Sequence, residues 1–471
     1  MKILLIDPPF GFQEIGGNKS RFATVNNIIP SLGLGYLAAI ARKHGHDVKI
    51  IDGAITPDWN FISNQAQRFT PDIIGITATT PTFKNAQKAA QILKKVLPSA
   101  IFVLGGAHPT AALDHAAQAK EFDYFIIGEG ELTFVELLEY ISGKSSFNKH
   151  KINGLAFWDK EKLTITPSRE RIKNLDSLPF PARDLFPSIT KYSPTPASYR
   201  RLPLAHIMTS RGCPLKCAFC DRSIFQETLK QRSAQNVLKE VDELITRYGV
   251  REIRFFDDCF TINRGRLEEI CQGMKKLKPC TPWTCLTSVN FIDQDMLNMM
   301  HDAGCWQILY GLESGSDDIL RTIGKQTTVK KNKDAVELAH KAGMRVRADF
   351  IVGTPSETMK TLRDTMKFAK SLAIDFAHFN KFVPFPGTGF YKQLKDRGYE
   401  FDFSLNWSTL NHDSLIFVPE AIEKQEYQKF LDNSYKEFYF RPGYILRRLL
   451  AIRTFTELFG NFKGLFSIFS I

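Results

Sequence analysis

The sequence predicts an α/β protein built in two consecutive halves: a doubly wound parallel sheet of the flavodoxin-like type, then a partial (β/α)6 barrel, with a helical tail. Three observations carry this reading. Short apolar runs alternate with amphipathic stretches from residue 1 to about 145, six further strand-helix units follow between 201 and 395, and the alternation stops from 396 to 471. Alternating β and α means parallel strands joined by crossover helices. The 471 residues, 43% of them hydrophobic, suffice for two or three domains with full cores.

In the first half, strands are expected at Lys2 to Asp7, Asp47 to Asp52, Ile73 to Thr77, Ala100 to Leu104 and Tyr124 to Ile127. Helices are expected at about Leu34 to Lys43, Phe83 to Val96 and Glu131 to Ile141. Ligands of such sheets sit beyond the carboxyl ends of the strands. Those ends carry Asp7-Pro8-Pro9, Thr77-Ala78-Thr79-Thr80, Gly105-Gly106-Ala107-His108-Pro109 and Gly128-Glu129-Gly130-Glu131. Glycines there let backbone approach a bulky ligand.

Residues 146 to 200 read as a connector. Two candidate strands lie near Gly154 to Trp158 and Leu163 to Thr166, and the proline-rich LPFPARDLFP at Leu178 to Pro187 should be extended and pinned to a surface.

Barrel strands are expected at His206 to Ser210, Glu252 to Phe256, Trp283 to Ser288, Trp306 to Gly311, Arg345 to Val352 and Phe376 to Phe382. The helices between them are Val237 to Tyr248, Arg264 to Lys276, Asp293 to Ala303, Val329 to Ala342 and Glu357 to Leu372. Active residues of such barrels collect at the C-terminal strand ends. The first strand delivers RGCPLKCAFCD, Arg211 to Asp221, whose Cys213, Cys217 and Cys220 are spaced C-x-x-x-C-x-x-C. Three thiolates on one tight loop suit three irons of a four-iron cluster, leaving one iron open to an amine and a carboxylate. Zinc is the alternative, but it usually asks for four protein ligands, and the nearest histidine in sequence is His206. The other five cysteines are irregularly spaced and read as ordinary thiols in a reducing compartment. Asp257 and Asp258 follow the second strand, Gly311-Leu312-Glu313-Ser314 the fourth and Gly353-Thr354-Pro355 the fifth.

This cysteine triplet, with Phe219 just before its last member, resembles the radical S-adenosylmethionine superfamily. The resemblance implies Cys213, Cys217 and Cys220 as ligands of a [4Fe-4S] cluster whose open iron binds S-adenosylmethionine and cleaves it to a 5′-deoxyadenosyl radical. It further implies that Asp257 or Asp258 and Glu313 contact the polar groups of S-adenosylmethionine, with Ser288 and Arg347 as further candidates, and that Gly353 to Glu357 borders the adenine. The alternative for Asp258 is a loop or helix cap. Cys259, beside these aspartates, is a hydrogen donor or substrate anchor on one reading and a small buried hydrophobe on the other.

The GGAHPT and GEGE segments, with SLGLGYLAA at Ser31 to Ala39, resemble the cobalamin-binding domain that precedes the radical domain in one class of these enzymes. The resemblance implies that Thr77, Thr79, Gly105, Gly106, His108, Gly128 and Glu129 face cobalamin. One departure stands out: the D-x-H-x-x-G motif is absent, because Asp7 is followed by Pro8, Pro9 and Phe10. Cobalamin would then be held without a lower histidine, or the domain is a scaffold and His108 an ordinary loop histidine. The class is similar to hopanoid and bacteriochlorophyll-pathway methylases and the anaerobic Mg-protoporphyrin ester cyclase. It implies C-methylation of an unactivated carbon on a lipid, isoprenoid or tetrapyrrole-like substrate, with an electron donor such as flavodoxin or ferredoxin. The alternatives are a radical cyclase or rearrangement enzyme and, from another class, a redox sensor binding a cluster or cobalamin. Methylthiotransfer needs N-terminal cysteines for a second cluster, and the first cysteine here is Cys213.

The net charge of +12 is spread along the chain without an RNA-binding motif, so a nucleic-acid substrate is not expected. No signal peptide or run of 18 apolar residues is present, which predicts a cytoplasmic protein without a membrane span. In the tail, Glu420 to Phe438 reads as helix. Tyr444 to Ile471 is apolar with Arg447, Arg448, Arg453 and Lys463 against Glu457, a pattern for peripheral contact with the inner membrane face, a barrel cover or a dimer contact.

Overall fold

The computed structural model describes residues 1–10, 27–144, 148–277, 280–405, 407, 409 and 414–452. Strands β1 (Lys2–Asp7), β2 (Asp47–Asp52), β3 (Ile73–Thr77), β4 (Ile101–Gly105), β5 (Tyr124–Ile126), β6 (Leu155–Asp159) and β7 (Lys162–Ile165) form one sheet in the order β2-β1-β3-β4-β5-β6-β7. The first five are parallel and apolar along their length, as strands covered by helices on both faces must be. The hairpin β6–β7 pairs antiparallel to β5, so the start of the expected connector belongs to the first sheet. A helix over Trp59–Phe69 was not foreseen. Asp58 caps it, accepting from the Asn60 and Phe61 N–H groups, while Ile62 and Ala66 bury its inner face.

The second sheet runs β15-β14-β13-β12-β11-β8, from β8 (Leu204–Ile207), β11 (Glu252–Phe255), β12 (Trp283–Thr287), β13 (Cys305–Glu313), β14 (Arg345–Val352) and β15 (Phe376–Lys381). All pairings are parallel. A short pair, β9 (Ser210–Arg211) with β10 (Lys230–Gln231), closes the cysteine loop. Alternate strand residues, Ile207, Phe255, Cys285, Ile308, Val346 and Phe379 among them, pack outward against the helices and form the largest core. The other set, including His206, Arg254, Arg347, Asp349 and His378, faces the concave side.

An exposed sheet edge invites unwanted pairing. Here the helix Lys424–Tyr439 covers β15: the Ala377 N–H donates to Tyr439 Oη at 2.9 Å and the Phe379 N–H to Tyr435 Oη at 3.3 Å. The helix Pro442–Leu450 docks beneath. Its Tyr444 hydroxyl donates to the Asp375 carbonyl, Arg447 donates to the Ile374 carbonyl, and Arg448 pairs with Asp375 at 3.2 Å. The two arginines read as a membrane-facing row are therefore turned onto the barrel, and Leu446, Leu449 and Leu450 point outward. The remainder, with Arg453 and Lys463, lies outside the described residues. Among the described residues, no helix is long and apolar enough to cross a membrane.

Candidate active site

The cluster loop is fixed from three sides. Gly212 has φ +90°, and a Cβ there would sit 2.5 Å from the Thr228 carbonyl, so the turn into Cys213 requires glycine. The Ala218 N–H donates to the Ile323 carbonyl at 2.9 Å, and the Phe390 N–H to the Ala218 carbonyl at 2.9 Å. Phe219 packs beside Leu320, Phe382 and Phe390. Burial pushes all three thiols above their ordinary value, Cys220 to about 12, with Lys325 opposing. Held as thiolates, they need a cation, a role that the irons of a cluster would fill.

The acidic strand ends divide into structural and open groups. Asp257 is 3% exposed and its carboxylate is spent: it accepts from Thr209 N and Oγ1 and from Ser210 N and Oγ, locking the loop after β8. Of the two aspartates offered for S-adenosylmethionine, Asp257 is therefore the one taken up within the fold. Asp258 is exposed and acts electrostatically on Cys213 and Cys220, so of the pair it is the one facing the cluster loop. Glu313 is buried at φ +62° and accepts from Lys325 Nζ at 2.7 Å. A left-handed, non-glycine residue at a strand end is costly and persists where its surroundings demand it. Gly311 makes room: a Cβ there would lie 2.3 Å from Glu313 Oε1. The ammonium of Lys325 stands 5.7 Å from the Phe219 ring. Sequence reasoning missed Lys325, whose only signal was a lone lysine after the glycine that ends a helix.

Three expected positions are set back from an open site. Ser288 caps a short turn, accepting from the Asn290 N–H, while its own N–H donates to Cys259 Sγ at 3.4 Å. Cys259 is 1% exposed and also 3.1 Å from Thr287 Oγ1, which places it in a buried network rather than at a reacting centre. Gly353 is needed for another reason than adenine: a Cβ there would strike Tyr427 Oη at 2.0 Å, and the Gly353 and Thr354 N–H groups donate to Glu357. Arg347 lies on the concave face and donates to His378 Nδ1 at 3.0 Å.

The carboxyl ends of the first sheet face this barrel across a cavity of about 160 Å³. Thr77, Gly105, Gly106, Gly128 and Glu129 line it together with Met208, Arg211 and Phe225 of the barrel side. Gly106, at φ +104°, would with a Cβ press 2.7 Å from the Ala78 carbonyl. The cavity reaches down between the strands to Leu5, Gly75 and Val103. It therefore fits a slender apolar extension of a large ligand whose bulk rests on the glycine ends. His108 and Thr79 are not part of its wall. His108 is fully buried, 3.0 Å from His115 Nδ1 and 3.1 Å from Thr80 Oγ1, beneath Phe83 and Phe403, and burial draws its pKa down to about 3. Thr79 is exposed and bonded to Thr82.

Glu129 does more than line the cavity. Arg211, the residue two before Cys213, donates to Glu129 at 2.8 Å and to Glu131 at 2.5 Å, all three buried. Arg171 adds a contact of 3.6 Å to Glu129 and donates to the Arg211 carbonyl. The loop that carries the cysteines is thus clamped to the ends of the first sheet. A buried pair of this kind costs little while complete and a great deal when broken.

Geometry alone gives a three-cysteine loop at a barrel mouth that closes, with the strand ends of a doubly wound sheet, on one space. Comparison with known proteins makes the arrangement specific. Residues 207–369 match the model of the radical SAM superfamily and residues 19–138 that of the B12 binding domain. An uncharacterized methyltransferase of Pyrococcus horikoshii is 34% identical over 95% of this chain and 94% of its own. The anaerobic magnesium-protoporphyrin IX monomethyl ester cyclase of Cereibacter sphaeroides is 29% identical over 94% and 71%. Among solved structures, the cobalamin-dependent S-adenosylmethionine radical enzyme OxsB, with aqua-cobalamin and S-adenosylmethionine bound, superimposes with a TM-score of 0.75 at 16% identity, covering 99% of this chain and 71% of that one. The chain belongs to the radical SAM family whose members carry an N-terminal B12-binding domain, and it is an enzyme.

Proposed function

We propose that the protein is a methyltransferase that places a methyl group on an unactivated carbon of an apolar substrate. The observation that carries this is the clamp of Arg211 on Glu129 and Glu131, which joins the cysteine loop to the wall of the glycine-lined cavity. A methyl donor and a hydrogen-abstracting group must reach one substrate, and a rigid clamp holds their two seats at a set separation. Cys213, Cys217 and Cys220 would hold the cluster, while Gly105, Gly106 and Gly128 would take cobalamin. Bound there, the cluster with S-adenosylmethionine supplies a hydrogen-abstracting radical, and cobalamin supplies a transferable methyl group.

The chain's own residues do the rest. Asp258 and the Glu313–Lys325 pair present charge at the barrel mouth, where an ammonium and ribose hydroxyls find acceptors. Phe219, packed into the apolar cluster behind the cysteine loop, would keep water from that side of the cluster. The test is anaerobic incubation of reconstituted protein with S-adenosylmethionine and a reductant, scoring 5′-deoxyadenosine. Cleavage supports the reading, and no cleavage by a protein with a full complement of iron defeats it.

A further inference from the structure

The concave face of the barrel carries more positive charge than the carboxylate beside it offsets. Arg254 on β11 makes no hydrogen bond or ion pair to any described residue, and only the ring of Phe256 approaches it, at 5.5 Å. Arg347, on β14 and 8% exposed, leaves Nε and Nη1 without hydrogen-bond partners. The guanidinium groups act on each other, and burial, with Arg347 next in effect, draws the Arg254 pKa down to about 9. Neither histidine on this face adds an anion. His206 is 2% exposed with both ring nitrogens unpartnered, and burial holds it and His378 neutral. The carboxylate that acts on both guanidiniums is Asp349, 3.7 Å from Arg347 Nε and 3.3 Å from His378 Nδ1, whereas Glu252, on the same face of β11, is taken up by the Arg200 and Arg201 N–H groups and Trp306 Nε1. Arg254 and Arg347 against Asp349 leave an excess positive charge on the concave face.

Unpaired buried charge is among the costliest features a fold can keep. A fixed guanidinium fork suits an oxyanion. The rim above is apolar: Phe256 is 43% exposed, and Leu286 and Leu309 share its side of the sheet. We propose that Arg254 and Arg347 form a seat for the acid group, carboxylate or phosphate, of an amphipathic methyl acceptor whose apolar part lies along Phe256 toward the barrel mouth. This rests on the methyl-transfer reading and narrows its substrate from apolar to apolar with one anionic end. S-Adenosylmethionine also carries a carboxylate, and the test separates the two sources.

Dodecanoate and uncharged dodecanol, both below micelle formation, are titrated calorimetrically into anaerobically reconstituted full-length protein, with and without saturating S-adenosylmethionine. The expected result is that dodecanoate binds about tenfold tighter than dodecanol with S-adenosylmethionine present. Arg254→Gln and Arg347→Gln each remove that preference while dodecanol binding stays within about twofold, and Arg254→Lys keeps most of it. Equal binding of the two probes to the unaltered protein overturns the proposal, as does a preference that survives both glutamine variants. Loss of the preference on saturation with S-adenosylmethionine also overturns it, by assigning the seat to that molecule's carboxylate. Formation of 5′-deoxyadenosine by the unaltered protein is scored separately, so failure of the methyl-transfer reading is visible apart from failure of the seat.

Discussion

The two strand-end faces that meet in this molecule present opposite surfaces. The first sheet offers backbone and glycine: Gly105, Gly106 and Gly128 are bare, Glu129 and Glu131 are spent on Arg211 and Asp52 on Tyr192 at 2.6 Å, and burial raises the pKa of Asp7 to about 7. The barrel offers charge: exposed Asp258, the Glu313–Lys325 pair, and the concave arginines. A glycine floor admits a broad cofactor by shape, whereas buried charged groups select small polar ligands by hydrogen bonding. The difference teaches that one face is built to be filled and the other to discriminate.

Breaking the barrel side should have the largest effect. Cys217→Ala should reduce iron and visible absorbance after reconstitution to background and abolish S-adenosylmethionine cleavage, while cobalamin retention persists. Next comes the clamp. Arg211→Met leaves buried Glu131 without its cation and Glu129 with Arg171 alone, and should cost about 3–5 kcal/mol in urea unfolding, with Glu131→Gln on that background restoring part of it. On the glycine side, Gly106→Ala forces a Cβ into the left-handed region against the Ala78 carbonyl. It should cost about 1–3 kcal/mol and lower cobalamin retention with iron unchanged.

The smallest effect sharpens the electrostatics of the first sheet. Burial, with Asp52 adding, raises the Asp7 pKa from 3.8 to about 7. A carboxyl whose folded pKa is raised contributes stability that is complete below the unfolded pKa and is lost as pH climbs through the folded value. Asp7→Asn should therefore melt higher than the unaltered protein, by a margin that widens from pH 5 to pH 8 and amounts to on the order of 1 kcal/mol, since relaxation discounts the nominal shift.

Much of the architecture was legible because period and punctuation agree: β14 and the helix Arg264–Lys276 fall where the pattern puts them. The helix Trp59–Phe69 escaped because its apolar face is narrow, although Asp58 followed by Ile62 and Ala66 is a capped i, i+4 signal. At the site, local spacing found the three cysteines but not which of two adjacent aspartates faces inward. A strand end turns consecutive side chains opposite ways, so Asp257 became a lock and Asp258 stayed open. Arg211 lay beside the motif in plain view, yet its partners are 80 and 82 residues away, a separation no local pattern encodes. The arginines at 254 and 347 did leave a trace, as charged residues at alternate positions of otherwise apolar strands.

The central claim is that two faces hold two different cofactors at once. It is tested most directly by counting cobalt and iron per chain after anaerobic reconstitution with cobalamin and desalting. The account predicts about one cobalt together with about four irons. Full iron with only trace cobalt would contradict it and leave the first sheet as a scaffold for the barrel.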